Sequence, residues 1–335
     1  MHLSDALLSP PVALAAGAVS LTLLAAAVRS LRRASCGEAA VPDGSSAPLC
    51  GEHLVPLMGV MGAFVFAAQM INFSIPGTGS SGHLVGGILL ATILGPWAAL
   101  VVLSSVLAIQ CLLFADGGLL ALGANIFNMA VLSCLVVWPL VFRPIAGTGG
   151  SLRRLAAASV AASVAALALG ALAVTLETEA SGITALPFGR FLLFMLPIHL
   201  LIGVGEGAAT AAVLCFLRRY RPDLAAPCAA PPGRRRPGRR VLAVLAAATL
   251  AAAVSFSWVA SSDPDGLEWS IERTAGAEPP AEPEDGLHRT ASRIRERTAL
   301  MPDYDTSLAG VVGSGVVLLA VLGLSHLFRP ERRES

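Results

Sequence analysis

Long apolar runs recur along the chain, at about 11–28, 54–72, 119–142, 155–177, 191–217, 241–260 and 308–328. Runs of roughly 17–25 residues are long enough to cross a bilayer as α-helices. Composition agrees, since 13% of residues are charged where a soluble domain averages about 25%. The chain therefore reads as an all-α polytopic integral membrane protein.

One stretch is ambiguous. Residues 84–115 are apolar throughout but carry Gly95-Pro96 inside them, so they form either one over-long helix or two short passes. Charge decides, because cytoplasmic loops of membrane proteins carry the arginine and lysine excess. The chain has no lysine. Two passes place 17 of its 23 arginines inside, among them Arg29, Arg32 and Arg33 after the first run and Arg329, Arg332 and Arg333 in the tail. One pass would move 14 of those 17 to the other side. The expectation is nine spans, the N-terminus outside and the C-terminus cytoplasmic.

The first run has its positive charge after it rather than before it, and RRASC lacks small-residue cleavage spacing, so no signal peptide is expected. Segment 218–240 is rich in Pro, Ala and Arg and reads as a cytoplasmic linker. It separates a seven-span module, 1–217, from a two-span module, 241–335, whose extracytoplasmic loop 261–307 holds eleven acidic residues and five arginines. That loop is expected to be solvated and partly disordered. The six cysteines form no CxxC pair, and neither disulfides nor a thiolate metal site is inferred. A net charge of +1 argues against a nucleic-acid partner.

Polar groups in a membrane chain are costly and so are candidates for function. The chain starts Met1-His2. A free α-amine, the His2 amide nitrogen and an imidazole nitrogen can close two fused chelate rings on one divalent cation, a donor set suited to Ni(II) or Cu(II), with imidazole also suiting Co(II) and Zn(II). His83 follows the Gly- and Ser-rich NFSIPGTGSSG and lies, by the charge count, on the same outer face. Residues 73–82 read as a loop folded against the outer mouth and presenting His83, which is either a ligand or an ordinary loop histidine. Asn72, Asn125 and Asn128 are amides that either orient the histidines or the N-terminal strand, or bond helix to helix. Asp5 either bonds nearby backbone or a His2 ring N–H, or caps the helix entered through Pro10. Asp116, before Gly117-Gly118, reads as a turn residue. His199 and Glu206, seven residues apart, share a helix face. They form a proton relay or, the reading favoured here, a structural anchor at a close contact made by Gly203, Gly205 and Gly207.

These blocks resemble a known family. MHLSDALLSPPVAL is similar to the start of the cobalt/nickel substrate-binding membrane subunits of energy-coupling-factor (ECF-type ABC) transporters, and FVFAAQMINFSIPGTGSSGHLVGG, ILGPWAAL, FADGGLLALGANIFNM and HLLIGVGEG resemble further blocks of it. The start departs from the usual pattern at Leu3, Ser4 and Ala6-Leu7. PDGLEWS at 264–270 and LMPDY at 300–304 resemble the small two-span accessory subunit of the same systems. The resemblance implies a fusion of both subunits. It implies metal ligation by Met1, His2 and His83, with Co2+ or Ni2+ as transported substrate and no organic cofactor. It also implies a membrane coupling subunit and cytoplasmic ATPase subunits as partners, in a bacterial cell membrane and its lipids. No GxxxxGK[ST] phosphate loop occurs in this chain, so ATP hydrolysis would lie on the partners. Binding is expected to release protons, because ligating amine and amide nitrogens must be deprotonated. The rival readings are a proton-coupled secondary transporter using His199 and Glu206, and a membrane enzyme, for which no Ser/His/Asp or HExxH pattern is found.

Overall fold

The computed structural model describes residues 1–35, 54–147, 150–220, 261–276, 285–302 and 307–324, together with 247, 249, 280, 281 and 283. The linker expected at 218–240 and the span expected at 241–260 lie almost wholly outside these residues.

A 3-10 turn, Asp5–Leu7, leads into α1 (Pro10–Ser35). Proline opens this helix where its missing N–H is not needed. Arg32 and Arg33 close it, facing the negative end of the helix dipole. Then follow α2 (Leu54–Gln69), a two-stranded hairpin of β1 (Phe73–Ile75) and β2 (Ser80–Gly82), α3 (Gly87–Leu94) and α4 (Pro96–Phe114). Next come α5 (Leu122–Ala146), α6 (Leu152–Ser181) and α7 (Phe188–Tyr220). Helix α5 is widened to π-helical turns over Ile126–Phe142, around Pro139. The second half contributes α8 (Gly266–Ala275), α9 (Gly286–Thr298) and α10 (Ser307–Leu324).

Among the described residues, α1, α4, α5, α6 and α7 are long and apolar enough to cross a membrane. Leu14, Leu21, Leu140, Leu193 and Leu201 stand exposed on these helices. In water such a surface would invite aggregation; in a bilayer it faces lipid. The molecule is an all-α integral membrane protein, with one small hairpin among the described residues.

The 84–115 stretch does break, and at Gly95-Pro96. Gly95 has φ 86°, a conformation that costs side-chain-bearing residues dearly, and Pro96 starts the next helix. Helix α3 has eight residues, about 12 Å of rise. The backbone at 83–86 ahead of it is non-helical and buried, which membrane proteins tolerate only where protein satisfies its polar groups.

Two expectations are refined. Residues 73–82, read as a loop, contain a short hairpin. They pair as an antiparallel hairpin, Phe73 opposite Gly82 and Ile75 opposite Ser80, turning at 76–79 where Gly77 and Gly79 have positive φ. The loop 261–307, expected to be solvated and partly disordered, carries two helices in its described parts. Asp265 and Glu268 make a reciprocal capping box at the start of α8, and Asp285 caps α9. Both helices bury residues against the first module, Leu267 and Ser270 from α8 and His288 and Ala291 from α9. The Pro-rich run 277–285 falls mostly outside the described residues.

Residues 261–265 extend the hairpin. Ser81 N donates to Pro264 O at 2.8 Å, Ser81 Oγ to Asp263 O at 2.8 Å, and Ser261 N to Asn72 O at 2.8 Å. Trp269 Nε1 donates to Thr78 O at 3.1 Å. These bonds, with a single bridge between Ser81 and Asp265, hold residues 261–269 against the hairpin. Helix α10 lies on α2, where Gly59 and Gly62 admit Leu318 and Val317.

Candidate metal centre

The chain start is built into the bundle. Asn125 of α5 holds Leu3 by both backbone groups: Leu3 N donates to its Oδ1 at 2.8 Å, and its Nδ2 donates to Leu3 O at 3.1 Å. Gly118 N donates to the same carbonyl at 2.8 Å. The Asp5 carboxylate accepts from Leu119 N at 3.1 Å and Ala121 N at 3.0 Å, so Asp5 bonds backbone, not His2. A side chain at Gly118 would collide with that carboxylate. The Met1 side chain is buried and rests against Gly170 in α6. These contacts fix where the α-amine and the His2 ring lie.

They lie beside His83. The His2 and His83 rings stack with centroids 5.0 Å apart and planes 18° from parallel. The Met1 α-amine donates to Asp265 Oδ2 at 3.0 Å, and His83 Nε2 is 4.0 Å from that same oxygen. His2 Nδ1 is 3.1 Å from Asp116 Oδ1. His83 Nδ1 lies 3.2 Å from Leu84 O, so it carries the proton and leaves the Nε2 lone pair free. A backbone carbonyl holding the far ring nitrogen is the usual arrangement of a metal-ligating histidine.

Both imidazoles are kept neutral. Burial, and then the neighbouring α-ammonium, lower His2 to about 3 and His83 to about 4. Burial would raise Asp265, but the α-ammonium beside it and the Glu268 backbone N–H it accepts outweigh that and hold its carboxyl well below the usual range. Neutral imidazole is the form a metal requires.

The donor set thus fits a divalent cation. His83 Nε2 is available, and His2 Nε2 is buried without a hydrogen-bond partner. The α-amine can give up one proton and still donate to Asp265. Closing the chelate through His2 Nδ1 requires that nitrogen to leave Asp116. Among the described residues no three His, Cys, Asp or Glu side chains form a metal cluster.

An open cleft of about 680 Å³ leads to the rings. His2 and His83 lie on it, together with the carboxylates Asp116, Asp263, Asp265, Glu268 and Glu272. Arg295 also lines it, but the carboxylates outnumber this one arginine, and a cleft with low-dielectric walls and a net negative lining concentrates cations.

The remaining sequence candidates separate. Asn72 lies on the cleft, and its carbonyl binds Ser261. Asn128 donates to Glu177 Oε2 at 2.7 Å and does not orient a histidine. Glu206 is a clamp: its oxygens accept from Val85 N at 2.9 Å and Gly86 N at 3.0 Å, two residues past His83. Gly203 and Gly207 bring α7 against the α6 backbone at Val164 and Val160, while Gly205 faces the Phe73 ring. Glu206 and these glycines thus lie in hydrogen-bonding and packing contacts. Glu206→Ala should strand two buried N–H groups at about 1–3 kcal/mol each. A fall in the detergent unfolding midpoint is expected, smaller for Glu206→Gln; an unchanged midpoint would show that the clamp carries no stability.

Three residues escaped the sequence reading as site residues. Asp116 appeared as a turn. Asp265 is a helix cap whose second oxygen reaches Met1. His288 is fully buried and holds the N-terminal turn: its Nε2 lies 3.0 Å from both Asp5 O and Leu8 O, and its Nδ1 2.6 Å from Asp285 Oδ2. All three partners are acceptors, which suits an imidazolium. Burial would lower His288, but the Asp285 carboxylate and the two carbonyls outweigh it and raise its pKa. The stabilisation is therefore complete below the ordinary imidazole value of about 6.5 and is lost as pH rises through the raised value. Amide exchange at residues 5–8 should quicken across that window, and be fast at every pH in His288→Ala. Exchange insensitive to both would remove His288 from this role.

Residues 2–224 match the family described as the cobalt uptake substrate-specific transmembrane region, and residues 239–330 match the PDGLE domain. The chain is 35% identical to a putative fused nickel transport protein NikMN of Archaeoglobus fulgidus, over 84% of this chain and 89% of that one. It is 32% identical to the fused nickel transport protein NikMN of Rhodobacter capsulatus, over 97% and 94%. The crystal structure of a truncated transition metal transporter superposes with a TM-score of 0.54 at 29% identity, covering 66% of this chain and 99% of that chain.

Proposed function

The chain belongs to the cobalt-uptake substrate-specific transmembrane family, fused to a PDGLE domain as in cobalt/nickel energy-coupling-factor components, and from that membership we propose that it captures Co2+ or Ni2+ for an ATP-driven importer. It is a multi-pass membrane component of metal uptake. In this proposal, module 1–217 holds the cation through the Met1 amine, the His2 amide and imidazole nitrogens and His83. The module 241–335 closes over it. Nine passages, with the N-terminus outside, put the cleft at the outer face of a bacterial cell membrane. A coupling membrane subunit and ATPases supply the driving force.

The observation that supports this most is the convergence of three elements distant in sequence. The α-amine, a stacked pair of neutral imidazoles and Asp265 meet at the end of an acidic cleft. Proton-coupled exchange through His199 and Glu206 is the less favoured alternative, because Glu206 already accepts two backbone N–H groups. Uptake of radioactive Ni2+ or Co2+ into cells carrying the chain with and without its ATPase and coupling subunits tests the proposal. Uptake should require the ATPases. Uptake that persists without them and collapses when the proton gradient is dissipated would overturn it in favour of the alternative.

A further inference from the structure

Behind the cleft lies a second, much smaller chamber of about 10 Å³. Met1, His83, His199 and Asp265 contribute its polar lining, and Leu167 and Ile202 its apolar walls. His83 and Asp265 border both spaces, so they form the wall between them. A volume of this size is about that of one water probe, and a bare first-row divalent cation is smaller than a water molecule.

His199 sits in this chamber with one nitrogen unused. Its side chain is 1% exposed. Its Nδ1 lies 2.7 Å from Met195 O, one turn earlier in α7. That bond places the proton on Nδ1 and the lone pair on Nε2. Nε2 is buried and has no hydrogen-bond partner. Buried polar atoms are satisfied in the great majority of cases, so an orphan calls for an explanation. Glu206, on the same helix face, is by contrast saturated by Val85 and Gly86. The approach to Nε2 is kept open by Gly266, where a Cβ would lie 3.3 Å from that nitrogen. Gly266 directly follows Asp265, so the second module controls both the wall and the access.

A carbonyl-oriented imidazole with a free Nε2 is the arrangement of a metal-ligating histidine. We propose that His199 Nε2 is an inner nitrogen donor for the transported divalent cation, reached from the outer donors across the His83–Asp265 wall. The inference rests on the Met1, His2 and His83 reading, and its failure is separable from the failure of that reading. The step is a ligand exchange: one metal–nitrogen bond forms at His199 as one is given up at the outer set, with no electron transfer.

The test uses the full chain with an unmodified N-terminus, titrated anaerobically with Ni2+. Wild type should bind the ion; if it does not, the parent reading fails first. In His199→Cys, a near-ultraviolet sulfur-to-nickel charge-transfer band should appear that is missing in wild type and in His199→Ser. A His199→Cys chain that binds nickel without that band overturns the proposal. Should the cysteine variant not fold, Gly266→Ala decides. The added methyl covers Nε2, and uptake by the assembled transporter should fall at least about tenfold, the lower range for lost supporting groups at metal sites. Uptake by Gly266→Ala equal to wild type would overturn the proposal, leaving the chamber to a structural water.

Discussion

A single residue added ahead of Met1, or acetylation of its amine, is expected to weaken Ni2+ or Co2+ binding by more than about a hundredfold, beyond the usual cost of losing an outer-shell partner. Acetylation converts a basic nitrogen into an amide and removes one donor from the set. It also takes the ammonium from Asp265, 3.0 Å away. An extension has nowhere to go, because the Met1 side chain is buried against Gly170 and Leu3 is held at both backbone groups by Asn125. The helices should stay folded, since the damage is confined to one end. Equilibrium dialysis with metal, alongside helix content by circular dichroism, separates loss of site from loss of fold. An extended chain with native affinity would mean that the amine is not a ligand.

Asp265→Ala is the second large effect. One oxygen of this carboxylate accepts from Leu267 N and Glu268 N at 2.8 Å each; the other accepts from the α-amine. Losing the cap costs about 0.5–2 kcal/mol. Leaving a buried ammonium unpaired is worse, typically about 3–5 kcal/mol. Either the N-terminus leaves its seat or the amine loses its proton. Metal affinity should fall about 10–100-fold, as when outer partners of metal ligands are removed. Asp265→Asn keeps the cap and the shape but not the charge, so it should fall between alanine and wild type. An alanine variant with undiminished affinity would mean that the second module has no part in arranging the site.

Much of this was legible in the residues. Long apolar runs and Gly95-Pro96 depend on local composition, and they pointed to the long apolar helices among the described residues and to the break at Gly95. Met1-His2 and His83 stood out as candidates because their chemistry and family resemblance are written locally, and the structure brings them together. Other features depend on partners far away in sequence. The Gly/Ser-rich residues before His83 read as a loop, and they form a hairpin beside residues 261–265. Asp265 carried a visible signal, Asp-Gly-Leu-Glu as a capping box, but that signal explains only one of its two oxygens. Its bond to Met1 spans 264 positions. The charged loop 261–307 looked solvated because charge reports solvation on average. Its capping residues, Asp265 and Asp285, were the signs of helices, and His288 had no local pattern pointing to the Asp5 and Leu8 carbonyls.

The account stands or falls on whether Met1, His2 and His83 bind the transported ion. The most direct measurement is calorimetric titration of Ni2+ and Co2+ into the purified full chain with its natural N-terminus, beside His2→Ala and His83→Ala. One ion per wild-type chain is predicted, with each variant weakened by at least about a hundredfold, more than the loss of an outer partner. Undiminished binding in both variants would contradict it.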